Sequence, residues 1–252
     1  MTSIQVFSQE PGSPLPALPH YDSLGTGILQ VSFEEKIPLY ASADATVPFD
    51  TLEIKRRADG STAFLTRVLK NKLAPYQLSY GDTHEAGRRH INMGLVSFPP
   101  VLQFRVVKAT AHHFQVVINE KEKLTCFIYI NPKYALYGTL VQKEVHNRIG
   151  QTEAPYNPCW YLYETWEHFL QRAYIVSTKP NATFYDAPNG KTIPFPSLQD
   201  GCRECFHVAR VEGEWAELID RQDYSRKKPA YGWVKWQNGK TLEVAVMEFG
   251  YE

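Results

Sequence analysis

What this chain lacks excludes several classes of protein at once. Four cysteines (Cys126, Cys159, Cys202 and Cys205) in 252 residues are too few for a disulfide-dense secreted scaffold. No apolar run approaches the ~18 residues that a membrane-spanning helix requires, so no membrane partner is expected. Basic and acidic residues number 27 each, which leaves no net field to draw the chain toward nucleic acid or a lipid surface. The first ten residues have neither a charged start nor an apolar core, so they do not read as a secretory signal. A cytoplasmic location is expected, or a secreted or periplasmic one if a leader precedes this sequence. There is no phosphate-cradling glycine loop, no Gly-x-Ser-x-Gly elbow and no dinucleotide fingerprint. No cofactor is expected.

What is present is a chain able to build real cores, 43% hydrophobic with 13% aromatic residues. One local charge excess sets Lys55, Arg56, Arg57, Arg67, Lys70, Lys72, Arg88 and Arg89 against Asp59, Asp82 and Glu85. No aromatic platform accompanies it, so it reads as a solvated surface and no nucleic-acid partner is expected.

A pattern recurs in altered form. Leu39-Tyr40-Ala41-Ser42-Ala43-Asp44-Ala45-Thr46-Val47-Pro48-Phe49 is echoed by Phe184-Tyr185-Asp186-Ala187-Pro188-Asn189-Gly190-Lys191-Thr192-Ile193-Pro194-Phe195. Alternating strands follow each copy. The first set is Leu102 to Ala109, Phe114 to Asn119 and Leu124 to Ile130. The second is Cys205 to Val211, Trp215 to Asp220 and Gly232 to Trp236. Spacing and alternation agree across the three strands, which predicts two related small β modules.

Around these lie other elements. Pro11 to Pro19 holds four prolines and reads as an extended arm. Gly27 to Phe33 alternates as a strand, and Asp59-Gly60 marks a hairpin between Leu52 and Leu65. Residues 70–95 are polar and turn-rich, an insertion with little regular structure. Between the modules, apolar positions 159, 162, 163, 166, 169 and 170 recur at helical steps. Asn157 suits the N-cap and Pro158 the first position of that helix, which runs to Arg172.

From Thr178 to Trp236 the chain resembles the bacterial Src-homology-3-like (SH3-like) family. Phe184-Tyr185-Asp186, Pro188-Asn189-Gly190-Lys191, Gly213 to Leu218 and Tyr231-Gly232-Trp233-Val234-Lys235 carry the likeness. The N-terminal copy is similar through Leu39-Tyr40, Phe104 to Asn119 and Phe127 to Ile130. There Phe114 stands for Trp215, and Cys126-Phe127 for Gly232-Trp233. The resemblance implies an all-β protein of two tandem SH3-like small barrels joined by a short helix. The boundaries expected are an arm over 1–26, a barrel with an insertion over 27–150, a helical linker over 151–173 and a second barrel over 174–252. It further implies a non-catalytic binding or scaffolding protein whose aromatic surface takes a protein or peptide partner, a cell-wall fragment being an alternative ligand. Tyr185, Asp186, Tyr224, Tyr231, Trp233 and Trp236 are the residues expected to line that surface.

Two rival readings stand beside it. Cys159 at a helix N-terminus would suit a cysteine hydrolase, with His207 the histidine that follows it on a strand. A small immunity-type inhibitor held by shape and charge is the other. Cys202 and Cys205 have half the spacing of a zinc site but lack a second pair, and read as strand-edge thiols. Asp82, His84, Glu85 and His90 match no metal-ligand spacing, and His112-His113 reads as a hairpin turn. No catalytic or metal site is expected.

Overall fold

A computed structural model describes residues 14–31, 36–56, 62–79, 95–96, 101–130, 161–196, 205–221 and 229–247. The chain is mostly β with one short helix among these residues. It forms two compact units, residues 1–80 with 100–164, and residues 81–99 with 165–252.

The first unit contains β1 (Gly27–Val31), β2 (Lys36–Leu39), β3 (Asp50–Arg56), β4 (Thr62–Leu65) and β5 (Gln77–Ser79). The short β6 (Leu95–Val96) belongs to the second unit. The first unit continues with β7 (Val101–Ala109), β8 (His113–Asn119), β9 (Leu124–Tyr129) and β10 (Tyr161–Thr165). One sheet runs β10-β1-β7-β8-β9 with β5 added against β7, and a second runs β2-β3-β4. Alternation along these strands sends Leu29, Phe104, Phe114, Val116 and Ile128 into one core, all fully buried. Burying each such side chain contributes about 1.5–3 kcal/mol.

The extended segment before β1 is tied to that core. Pro19 O accepts from Thr125 N at 2.8 Å and from Thr125 Oγ1 at 3.1 Å, and Leu18 and Leu24 are buried. Arg105 donates to both carboxylate oxygens of Glu120, at 2.6 to 3.0 Å, and to Ser23 O.

The second unit holds α1 (Trp166–Arg172), β11 (Ile175–Thr178), β12 (Phe184–Tyr185), β13 (Thr192–Ile193), β14 (Cys205–Glu212), β15 (Trp215–Asp220), β16 (Gly232–Lys235) and β17 (Val244–Met247). Their order is β13-β12-β16-β15-β14-β11-β17-β6. Phe184, Phe206, Val208, Leu218 and Val234 are buried in its core.

The two units share a strand path. In β10-β1-β7-β8-β9 and in β17-β11-β14-β15-β16, the last strand in sequence lies beside the first and three consecutive strands follow. Both paths are open: among the described residues no ladder joins β9 to β10 or β16 to β17.

Two elements differ from expectation. Of the helix predicted over 157–172, Trp166–Arg172 is helical and Tyr161–Thr165 is a strand beside β1, while Asn157 to Trp160 lie outside the described residues. There Tyr163 reaches Thr26 Oγ1 at 3.1 Å and its ring lies 5.6 Å from Phe114, contacts that completing the sheet provides. Thr165 then caps the helix, its Oγ1 accepting from His168 N at 3.4 Å. Within the polar stretch 70–95, Lys70–Lys72 form a turn of 3-10 helix and Gln77–Ser79 add a strand to β7.

Candidate functional site

In the second unit, register assembles a row across four strands. Tyr185 on β12 opposes Trp233 on β16, Trp233 opposes Glu217 on β15, and Glu217 opposes Arg210 on β14. Directly opposed side chains share a sheet face. Trp215 and Lys235, opposed to each other two residues along, extend the same face. Each indole lies beneath a cation. Arg210 Cζ is 5.1 Å from the Trp233 centroid and Lys235 Nζ is 5.3 Å from that of Trp215. The indoles are 4% and 6% exposed, whereas the Arg210 and Lys235 side chains are 60% and 51% exposed. Tyr185 meets Trp215 edge-on at 4.9 Å. Glu217 fixes Arg210, accepting from Nε at 2.7 Å and Nη2 at 3.1 Å, which holds the guanidinium's charge firmly on.

The residues expected at the site fall into three groups. Tyr185 and Trp233 are neighbours in the row. Asp186 closes the β12–β13 turn instead: its Oδ1 accepts from Lys191 N at 2.8 Å, and Asn189 takes the left-handed conformation the turn requires, at φ +58°. Tyr231 meets the core ring of Phe206 edge-on at 5.8 Å, because Gly232, at φ +132°, breaks the strand's alternation. Trp236 packs 6.3 Å from Trp166 of α1 and donates Nε1–H to Gly213 O at 2.8 Å, so it is a buried structural contact. Tyr224 lies outside the described residues. Trp215, Arg210 and Lys235 were not foreseen on this face, although two-residue spacing from Glu217 and Trp233 would have placed Trp215 and Lys235 there.

The first unit repeats the row with other chemistry. Tyr40 bridges Phe127 of β9, Phe127 opposes Gln115 of β8, and Gln115 opposes Lys108 of β7. A register irregularity falls between Val106 and Lys108, as one falls between Val208 and Arg210. His113, opposed to Tyr129, therefore matches Trp215, opposed to Lys235. Phe114 instead faces the core, in the place of Ala216, which corrects the sequence alignment by one residue and so by one sheet face. Tyr40 and Tyr129 stack at 4.0 Å with an interplanar angle of 5°. Burial raises the pKa of both phenols. Burial, with Lys108 and His112 nearby, lowers that of His113.

Chemistry elsewhere is sparse. Cys126 is a free thiol, fully buried, and burial beside Asp50 pushes its pKa well above the ordinary thiol range. Cys205 is disulfide-bonded, which corrects its reading as a strand-edge thiol. Cys159, Cys202 and the group Asp82, His84, Glu85 and His90 lie outside the described residues. Among the described residues no three metal-ligating side chains come together, and no helix is long and apolar enough to cross a membrane. At the β7–β8 turn, Thr110 Oγ1 accepts from His112 N at 3.2 Å and His113 N at 3.0 Å. No protein-family model, curated protein or solved structure matches this chain.

Proposed function

We propose that the chain is a non-catalytic binding protein of two SH3-like modules, recognising a protein or peptide partner through the aromatic face of the second. The observation that carries this reading is Trp233, beside Tyr185 and roofed by the exposed side chain of Arg210. An indole covered by a long exposed side chain, not by packed core, can be uncovered without moving backbone. An extended partner segment laid on Tyr185 and Trp233 gains ring contact, while Arg210 turns to meet its polar groups. The shared strand path supports the module reading, since a last strand returning beside the first is what a short meander does as it curls toward closure. The disulfide at Cys205 favours an oxidising compartment over the cytoplasm.

The test is affinity capture from the native cell with wild type, Tyr185→Ala and Arg210→Glu, each shown to be folded by circular dichroism. A partner retained by wild type and lost by both variants is expected. Equal retention by all three rejects the reading.

A further inference from the structure

The equivalent row in the first unit differs from its counterpart chiefly in charge. Three glutamates of the second unit, Glu212, Glu214 and Glu217, surround Arg210 and Lys235 and form ion pairs with them. At matching positions the first unit has Thr110, His112 and Gln115. Lys108 takes the place of Arg210, and Gln115 spends its amide on Thr125 Oγ1 at 3.1 Å. Lys108 is exposed, so its charge faces solvent without the carboxylate that restrains Arg210. Beside it on the same face are Phe127, half-buried His113 and the stacked pair Tyr40 and Tyr129.

We propose that this face of the first unit is a second recognition surface, which takes an extended peptide segment presenting an acidic side chain next to a prolyl or aromatic ring. The proposal rests on the binding reading above and extends it to the first unit. The ring of the partner lies against the half-buried Tyr40–Tyr129 stack, with Phe127 buried beneath it. Its carboxylate pairs with Lys108, with the His112 and His113 imidazoles as further donors.

Charge complementarity selects a single carboxylate over a polyphosphate. A nucleic-acid backbone is held by several cations along its track, whereas this row supplies one permanent cation, Lys108. Asp44 stands in the loop that follows Tyr40, its Oδ1 accepting from Ser42 Oγ at 2.6 Å. That hydrogen bond lowers its pKa and keeps it anionic, so it repels a continuous run of phosphates.

The experiment selects a phage-displayed library of random peptides against the full chain, as wild type, Lys108→Glu and Gln115→Glu, with Tyr185→Ala as the second-unit control. Wild type and Tyr185→Ala are expected to enrich peptides that place Asp or Glu beside Pro, Tyr, Phe or Trp. Gln115→Glu restores the ion pair of the second unit without touching the rings, and should weaken those peptides about tenfold. Lys108→Glu should abolish the acidic preference. Enrichment without acidic residues, or acidic peptides bound equally by Lys108→Glu, overturns the proposal while leaving the second-unit reading intact. Enrichment lost in Tyr185→Ala alone does the same. Selection of oligonucleotides but not peptides would assign the face to nucleic acid and also overturn it. No peptide enriched by wild type overturns the proposal, while the second-unit reading stands or falls by the capture experiment.

Discussion

The Arg210 guanidinium lies 5.1 Å from the centre of the Trp233 ring while both its Nε and Nη2 donate to Glu217. One carboxylate thus parks a cation over an indole, and that arrangement keeps Trp233 dry at 4% exposure on a solvent-facing sheet surface. Arg210→Ala should leave the fold and melting temperature nearly unchanged, because Arg210 is exposed. Acrylamide quenching of tryptophan fluorescence should rise. Quenching equal to wild type would show that something other than Arg210 covers the ring.

Gly232 sits where no other residue fits. At φ +132° a Cβ would approach Tyr185 O to 2.8 Å and Ile193 Cδ1 to 2.7 Å. Gly232→Ala should destabilise the second unit by about 1–3 kcal/mol, seen as a lower urea midpoint for tryptophan fluorescence.

Asp50 is 6% exposed and its carboxylate accepts four backbone N–H groups, from Thr51, Arg67, Val68 and Leu69 at 2.7 to 3.0 Å. It stitches the start of β3 to the segment after β4. Asp50→Ala orphans those donors and should cost about 3 kcal/mol or more in thermal or urea denaturation. Asp50→Asn, retaining one acceptor, should cost less.

Buried and held protonated, Cys126 should resist iodoacetamide at neutral pH in the folded protein and react fully in denaturant. Mass spectrometry of the alkylated, unreduced chain should find Cys205 unmodified in both conditions.

His113 titrates below its ordinary value because of burial first, then Lys108 and His112. The unfolded chain therefore takes up the proton before the folded one does. Stability from this residue is complete above about pH 6.5 and falls as pH drops toward the lowered folded value. His113→Gln should flatten that part of the pH–melting curve.

Strands β7 and β14 were legible in this sequence, from two-residue alternation at Phe104, Val106, Phe206 and Val208, whereas the four-residue β11 and β17 were not. The irregularities at Val106/Lys108 and Val208/Arg210 were not, since one extra residue leaves no compositional trace. Phe114 matches Trp215 in side-chain type alone, whereas the strand register gives that position to His113. The apolar spacing of 159 to 170 fits a helix, yet Tyr161–Thr165 also carries the aromatic and β-branched residues a strand prefers, and pairing with β1 decides the contest. Asp50 looks in sequence like any turn aspartate; three of its four donors come from residues 17 to 19 positions away. Tyr185 and Trp233 were identified from local pattern, whereas the cations above the indoles depend on pairing across strands.

Hydrogen exchange of the full chain, free and saturated with the partner it retains from its native cell, probes the recognition surface most directly. The account predicts slowed exchange at Tyr185, at Arg210 to Glu217 and at Gly232 to Lys235. Protection confined to other segments, with these amides unchanged, would contradict it.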